Sequence, residues 1–165
     1  MFQKGEYVIH GSNGVCKVES IGPLTGMGAD DKDYYTLTPL YTNGGKIFSP
    51  TDNKKVVLRS VLSKDEAETL LSKVDALKEL AISDEKKRED AYKQAFYSGE
   101  CENLIRMMKT IRVREEQRLA QGKKATASDE RYLHMAEENL FGELAVSFGT
   151  SKDEIRERLG SLLAR

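Results

Sequence analysis

The chain has 165 residues, with 26 Lys+Arg against 27 Asp+Glu and a formal net charge of −1. That length suits one or two small domains, and no apolar run approaches the roughly 20 residues that a membrane-spanning helix needs. The two cysteines, Cys16 and Cys101, lie in different sections, which predicts a reduced, cytosolic chain rather than a disulfide framework. Phe2-Gln3-Lys4-Gly5 leads straight into strand-forming residues, so no signal peptide is expected.

In chain order, Gly5 to Val18 reads as two short strands about a glycine-pinned turn. Tyr7, Val8 and Ile9, then Val15, Cys16 and Val18, favour extended backbone. His10-Gly11-Ser12-Asn13-Gly14 between them supplies residues that tolerate positive φ. Gly22 to Asp31 reads as loop. Its Gly26-Met27-Gly28 opens no helix and is no nucleotide fingerprint. Tyr34 to Thr38 is a third strand. Asn43-Gly44-Gly45 is a hairpin turn signal, and Lys46 to Ser49 is a fourth strand stopped at Pro50. Val56 to Arg59 is a fifth. Five strands in about 60 residues, each ended by turn chemistry, predict a small twisted antiparallel barrel or half-barrel.

The pattern changes at Ser63. Ser63 with Glu66 is a capping-box pair, and Ala67, Leu70, Leu71, Val74 and Leu77 follow at helical spacing. This predicts a linker helix. Ser83 or Asp84 then caps a helix from Glu85 to Tyr97, with Lys86, Lys87, Arg88 and Lys93 crowding its first turns and Ala91, Phe96 and either Tyr92 or Ala95 inward. Ser98-Gly99 ends it. A longer helix covers Glu100 to Gln121 with Leu104, Met107, Met108 and Ile111 buried. After a basic loop, Gly122 to Ala125, either Thr126 or Ser128 caps a helix reaching Phe148, with Leu133, Ala136, Leu140, Leu144 and Phe148 as its stripe. Ser151 and Glu154 form a second capping box, before a last helix carrying Ile155, Leu159, Leu162 and Leu163. The fold class is α+β, divided as 1–60 (β domain), 61–84 (linker helix and connection) and 85–165 (helical domain).

The near-zero net charge hides a polarity. Residues 1–60 hold 7 Lys+Arg against 6 Asp+Glu, residues 61–84 hold 3 against 6, residues 85–124 hold 11 against 7, and residues 125–165 hold 5 against 8. A basic section between acidic ones is the footprint of a phosphate-binding surface, although a solvated helix laced with i,i+4 pairs has the same composition. Catalytic patterns are missing. His10 and His134 have no partner at motif spacing, and no P-loop, zinc-protease or nucleophile-elbow motif is present. Asp30, Asp31 and Asp33 lack EF-hand spacing. Cys101, near a helix start where thiol pKa values fall, lacks a companion residue. The reading is a binding protein, not an enzyme, with no cofactor and no metal.

Four motifs in order resemble one family. They are FQKGEYVIHGSNGVCKVESI at the start, Lys46 to Asn53 (KIFSPTDN), Tyr97-Ser98-Gly99-Glu100 and Phe141-Gly142-Glu143-Leu144-Ala145. Together they resemble the CarD/CdnL family of bacterial transcription regulators, whose N-terminal part is shared with the polymerase-binding module of transcription-repair coupling factors. The resemblance implies an N-terminal Tudor-like β-barrel that binds the RNA polymerase β subunit, with Leu24, Lys46, Ile47 and Phe48 on the polymerase face; barrel core is the alternative place for Phe48. It implies an all-α C-terminal bundle contacting promoter DNA at the upstream edge of the melted bubble through Lys86, Lys87, Arg88 and Lys93, with Lys123 and Lys124 beside them, and so stabilising the open complex. Such contacts go to the DNA backbone and carry no sequence readout. The implied protein is a cytoplasmic, nucleoid-associated monomer with no membrane contact. A free-standing DNA-binding protein is the alternative. The family sets a tryptophan at the start of the DNA-facing helix; this chain has none, and the matching position falls near Glu85. Either Tyr92 or Tyr97 replaces it, or charge alone holds the DNA.

Overall fold

A computed structural model describes residues 1–24 and 32–163. The Gly26-Met27-Gly28 segment, and Asp30 and Asp31 of the acidic cluster, lie outside the described residues. The chain divides into two compact units, Met1–Val61 and Leu62–Arg165.

The first unit is a five-stranded antiparallel sheet in the order β4-β3-β2-β1-β5. Its strands are β1 (Tyr7–His10), β2 (Val15–Gly22), β3 (Tyr34–Pro39), β4 (Ile47–Pro50) and β5 (Leu58–Ser60). β4 and β5 are the two ends of the ladder, and the pairings among the described residues do not close it into a barrel. The first turn is a single 3₁₀ turn, Gly11–Asn13, opened by Gly11 at φ +48° and followed by Gly14 at φ +68°. Glycine is required at Gly11 for a second reason: a Cβ there would lie 2.6 Å from Val56 Cγ1.

Alternation sorts the sheet's two faces. Val18, Leu37 and Ile47 form one cross-strand row on the core side, with Val8, Cys16 and Tyr35. A bulge between Val18 and Ser20 shifts the register, so Ser20, Thr36 and Phe48 line up on the opposite face. Phe2 closes the core, its ring edge-on to Tyr35 with centroids 5.8 Å apart. Two strand expectations change. The Asn43-Gly44 signal does not make a two-residue hairpin, because neither residue has positive φ and the β3–β4 connection runs from 40 to 46. Val56 and Val57 precede β5 rather than forming it.

The second unit holds α1 (Lys64–Ser72), α2 (Arg88–Tyr97), α3 (Cys101–Ala120), α4 (Ala127–Phe148) and α5 (Lys152–Leu163). Ser63 and Glu66 make both bonds of the capping box. α1 is more than a linker, since its Ala67 and Leu70, with Val74 and Leu77 just after it, are buried in the same core as the long helices. Asp84 caps a 3₁₀ turn, Glu85–Lys87, and the α-helix proper begins at Arg88. Gly99, at φ +74°, permits the tight joint from α2 to α3, where Ser98 Oγ accepts from Asn103 Nδ2. α3 and α4 run antiparallel, as the pairs Cys101–Glu143, Arg112–Glu137 and Arg114–Asp129 require. On α4 the buried residue is Tyr132, not Leu133, which is half-buried along with Phe148. Thr126 is the cap of α4, accepting from the Asp129 N–H at 3.1 Å. At α5 the box is one-sided: Ser151 accepts from the Glu154 N–H, but the Glu154 carboxylate takes the Thr150 hydroxyl instead. No helix among the described residues is long and apolar enough to cross a membrane.

Candidate functional site

Two surfaces carry the residues singled out by sequence. On the sheet, strand alternation separates neighbours on β4. Ile47 packs half-buried against the core, while Phe48 projects from the other face and is 45% exposed. Phe48 is therefore not barrel core. Lys46 is exposed just before the strand, and Leu24 is half-buried at the end of the first described stretch. Phe48 has company that the sequence did not single out. Tyr7, Ile21, Leu40, Tyr41 and Val56 are each more than a third exposed, and the helical unit shows only Tyr97 and Leu119 among its described residues. Burial, and after it the neighbouring Tyr7, push the Tyr41 phenol above its ordinary pKa. β4 is also an end of the ladder, where backbone groups lack a neighbouring strand.

The sheet's ionisable interior is inert. Burial pushes the Cys16 thiol up to about 11, far from the thiolate a nucleophile needs. His10 is held below its ordinary 6.5, chiefly by burial, and its Nδ1 lies 3.1 Å from Asn13 Nδ2. Cys101, despite being the first residue of α3, is buried and its thiol donates to Glu143 Oε1 at 3.1 Å.

That contact explains the FGELA segment. Glu143, 2% exposed, accepts the Leu62 N–H at 2.9 Å, and Ser147 Oγ donates to the Leu62 carbonyl at 2.7 Å. One turn of α4 therefore holds both backbone groups of the first residue of the helical unit. The spacing i, i+4 was readable; the partner, 81 positions away, was not.

The basic residues of the helical unit divide sharply. Lys86, Lys87, Lys93, Lys123 and Lys124 are exposed. Arg88 is not: its side chain is 16% exposed and grips Glu85 through two bonds of 2.7 and 3.0 Å. Arg88 Nη1 also donates to Tyr92 Oη at 3.0 Å. Tyr92, fully buried, donates in turn to Asp129 Oδ1 at 3.0 Å, and Arg114 Nη1 lies 3.5 Å from the same oxygen. Asp129 is 1% exposed, and its Oδ2 has no partner. This network brings the start of α2, the middle of α3 and the start of α4 to one end of the unit, with Lys86 and Lys87 beside it. The Lys123-Lys124 loop immediately precedes α4, and Arg118 Nε ties it down by donating to the Lys124 carbonyl at 2.8 Å. Sequence reading gave the cations but not the network, because Asp129 looks like an ordinary first-turn acid.

The network also decides between the aromatic substitutes. Tyr92 is wholly inside, so it is unavailable to wedge between bases. Tyr97 is 56% exposed, but it closes α2, about 14 Å along the helix from Arg88 at 1.5 Å per residue. At the start of the helix stands Glu85, whose carboxyl is held below its ordinary range, first by the Arg88 hydrogen bond. Among the described residues no group of His, Cys, Asp or Glu is arranged to hold a metal.

Residues 2–62 match the family model of the CarD-like/TRCF RID domain. The match covers the sheet unit and stops where the helices begin. A search of curated proteins returned no match.

Proposed function

From the match of residues 2–62 to the family model of the CarD-like/TRCF RID domain, we propose that this chain is a polymerase-tethered transcription regulator. The sheet unit, a small Tudor-like barrel in our reading, binds the β subunit. The helical unit contacts the backbone of upstream promoter DNA and stabilises the open complex. It works in the cytoplasm as a monomer, on the nucleoid through polymerase, and catalyses nothing. The single observation that carries this reading is the family match of the sheet unit.

The polymerase contact is Phe48 and Lys46 on β4, with Ile47 and Leu24 in support. An exposed aromatic on an end strand offers a partner both a hydrophobic anchor and a strand edge. The DNA contact is Lys86, Lys87 and Lys93, joined by Lys123 and Lys124. Arg88 sets the shape of their turn rather than touching DNA in the state described. Solvated lysines neutralise phosphates without reading bases, and tethering supplies the effective concentration that a weak contact needs. With Tyr92 buried and Glu85 at the helix start, charge holds the DNA here, without an inserted aromatic.

The test is open-complex lifetime on a supercoiled promoter, with polymerase and the full chain. The chain lengthens the lifetime; Phe48→Ala abolishes the effect at limiting protein, and saturating protein restores it. The triple variant Lys86→Ala, Lys87→Ala, Lys93→Ala still binds polymerase but leaves the lifetime unchanged. A triple variant as effective as the parent chain overturns the DNA role.

A further inference from the structure

We propose that Arg88 and Arg114 form a two-pronged phosphate fork that Glu85 occupies as an internal anion, and that a DNA backbone phosphate enters by displacing the Glu85 carboxylate. The proposal rests on the DNA contact argued above and assigns that contact a latch.

Glu85 bonds Arg88 at 2.7 and 3.0 Å and lies 3.7 Å from Arg114 Nη2. The three side chains differ in freedom. Arg88 and Arg114 are 16% and 24% exposed, whereas Glu85 is 68% exposed. Both guanidiniums are held from beneath. Arg88 rests on Tyr92 Oη, Arg114 on Asp129, and Tyr92 bonds Asp129. Nothing under the fork depends on Glu85, so its departure leaves two aimed guanidiniums in place. The fork borders a cleft of about 240 Å³, lined by Arg88, Arg114, Thr110 and Gln117; Glu79 also lines it and is exposed.

A phosphate suits the fork better than a carboxylate does. A backbone phosphodiester spreads its charge over two oxygens set wider apart than a carboxylate's, and arginine bonds both side by side. Glu85 stays charged through the neutral range, because Arg88 lowers its pKa. Protonation therefore does not open the latch; a competing anion does. As the fork stands, Arg88 and Arg114 are balanced by Glu85 and Asp129. With Glu85 swung into water the cluster gains one net positive charge, next to Lys86 and Lys87. The latch lowers affinity for stray duplex and reserves the fork for DNA already held by the tether.

The experiment is a salt titration of a fluorescein-labelled duplex by the full chain, read as anisotropy. Glu85→Gln keeps the shape and removes the charge. Its matched control is Asp90→Asn, which removes one charge from the first turn of α2 and leaves the fork alone. One added phosphate contact steepens the log K against log salt slope by about 0.9 and raises affinity up to about tenfold near 0.1 M salt. Glu85→Gln shows this change and Asp90→Asn does not. Adding Arg114→Lys to Glu85→Gln holds the charge, spoils the fork and cancels the gain. Equal effects of Glu85→Gln and Asp90→Asn overturn the latch. If the Lys86/Lys87/Lys93 triple variant still weakens binding in that case, the DNA contact survives alone. If the parent chain binds no duplex at any salt, contact and latch fall together.

Discussion

Replacing Phe48 by Ala separates surface from core on the sheet. A phenylalanine side chain presents about 200 Å², and Phe48 is 45% exposed, which leaves roughly 90 Å² for a partner to cover. At about 25 cal/mol per Å², complete burial contributes about 2.2 kcal/mol, or roughly 40-fold in Kd at 25 °C. The half of the ring already shielded supports the fold, so denaturant melting should also show a loss of about 1–2 kcal/mol. The assay is calorimetric titration of the full chain with the polymerase β subunit, well below the melting temperature. A fall of ten- to fortyfold in affinity, in a variant that is still folded, locates the contact on β4. Leu37→Ala is the counter-case. Leu37 is fully buried, and its loss costs about 2–5 kcal/mol of stability while weakening binding only through unfolding. A folded Phe48→Ala variant within twofold of the parent affinity refutes the assignment of this face.

Three further outcomes follow from the interior. His10 is held below 6.5 by burial, so the unfolded chain takes up a proton first; stability of the sheet unit is full above about pH 6.5 and falls as pH drops through and below it. His10→Gln should flatten that dependence in urea melts across this range. Asp129→Ala strands the Tyr92 hydroxyl and the Arg114 guanidinium, and should cost the helical unit about 2–4 kcal/mol; Tyr92→Phe, which removes only one hydroxyl, should cost about 1 kcal/mol by the same melt. Gly11→Ala places a Cβ at φ +48° and 2.6 Å from Val56 Cγ1, and a loss of about 1–3 kcal/mol is expected; no loss would mean that the turn relaxes.

Legibility tracked the range of each interaction. Local signals translated directly. The Ser63–Glu66 box, the glycine turn after β1 and the Gly99 joint each involve residues within a few positions of one another. The sheet faces were only partly readable by alternation, because Val8, Ile9 and His10 are buried in succession, as are Val15 and Cys16, and the bulge after Val18 reverses the parity. Long-range partners were not readable. Tyr92 meets Asp129 across 37 positions, Glu143 meets Leu62 across 81, and Thr110 accepts the Leu80 N–H across 30. Each is a polar residue whose partner stands on another segment; helical spacing offered Tyr92 as an inward residue, but no periodicity names the partner. The Asn43-Gly44 signal failed for a related reason: it names a turn that the chain can make, and the β3–β4 register, pinned by Leu37 against Ile47, leaves more residues between the strands than that turn uses.

The same distinction corrects the charge count. Residues 85–124 carry 11 Lys+Arg, yet, Arg106 apart, the cations divide by type. Arg88 binds Glu85 and Tyr92, Arg112 binds Glu137, Arg114 reaches Asp129, and Arg118 holds a loop carbonyl. Lys109 is the one lysine drawn in, donating to the Val74 and Leu77 carbonyls where the chain leaves α1. Lys86, Lys87, Lys93, Lys123 and Lys124 stand in solvent and pair with no carboxylate among the described residues. The division is physical. A planar guanidinium matches a carboxylate at two points and desolvates readily, whereas an ammonium keeps its water. Five solvated lysines bound the salt dependence of DNA binding. At about 0.9 per phosphate neutralised, the slope of log K against log salt should not exceed about 4.5 in magnitude, and the Lys86/Lys87/Lys93 triple variant should reduce it by up to about 2.7. Equilibrium binding of the parent chain to duplex over a salt series measures it. A slope near 10 would require cations beyond these five lysines, and so would refute their selection as the contact made by free duplex.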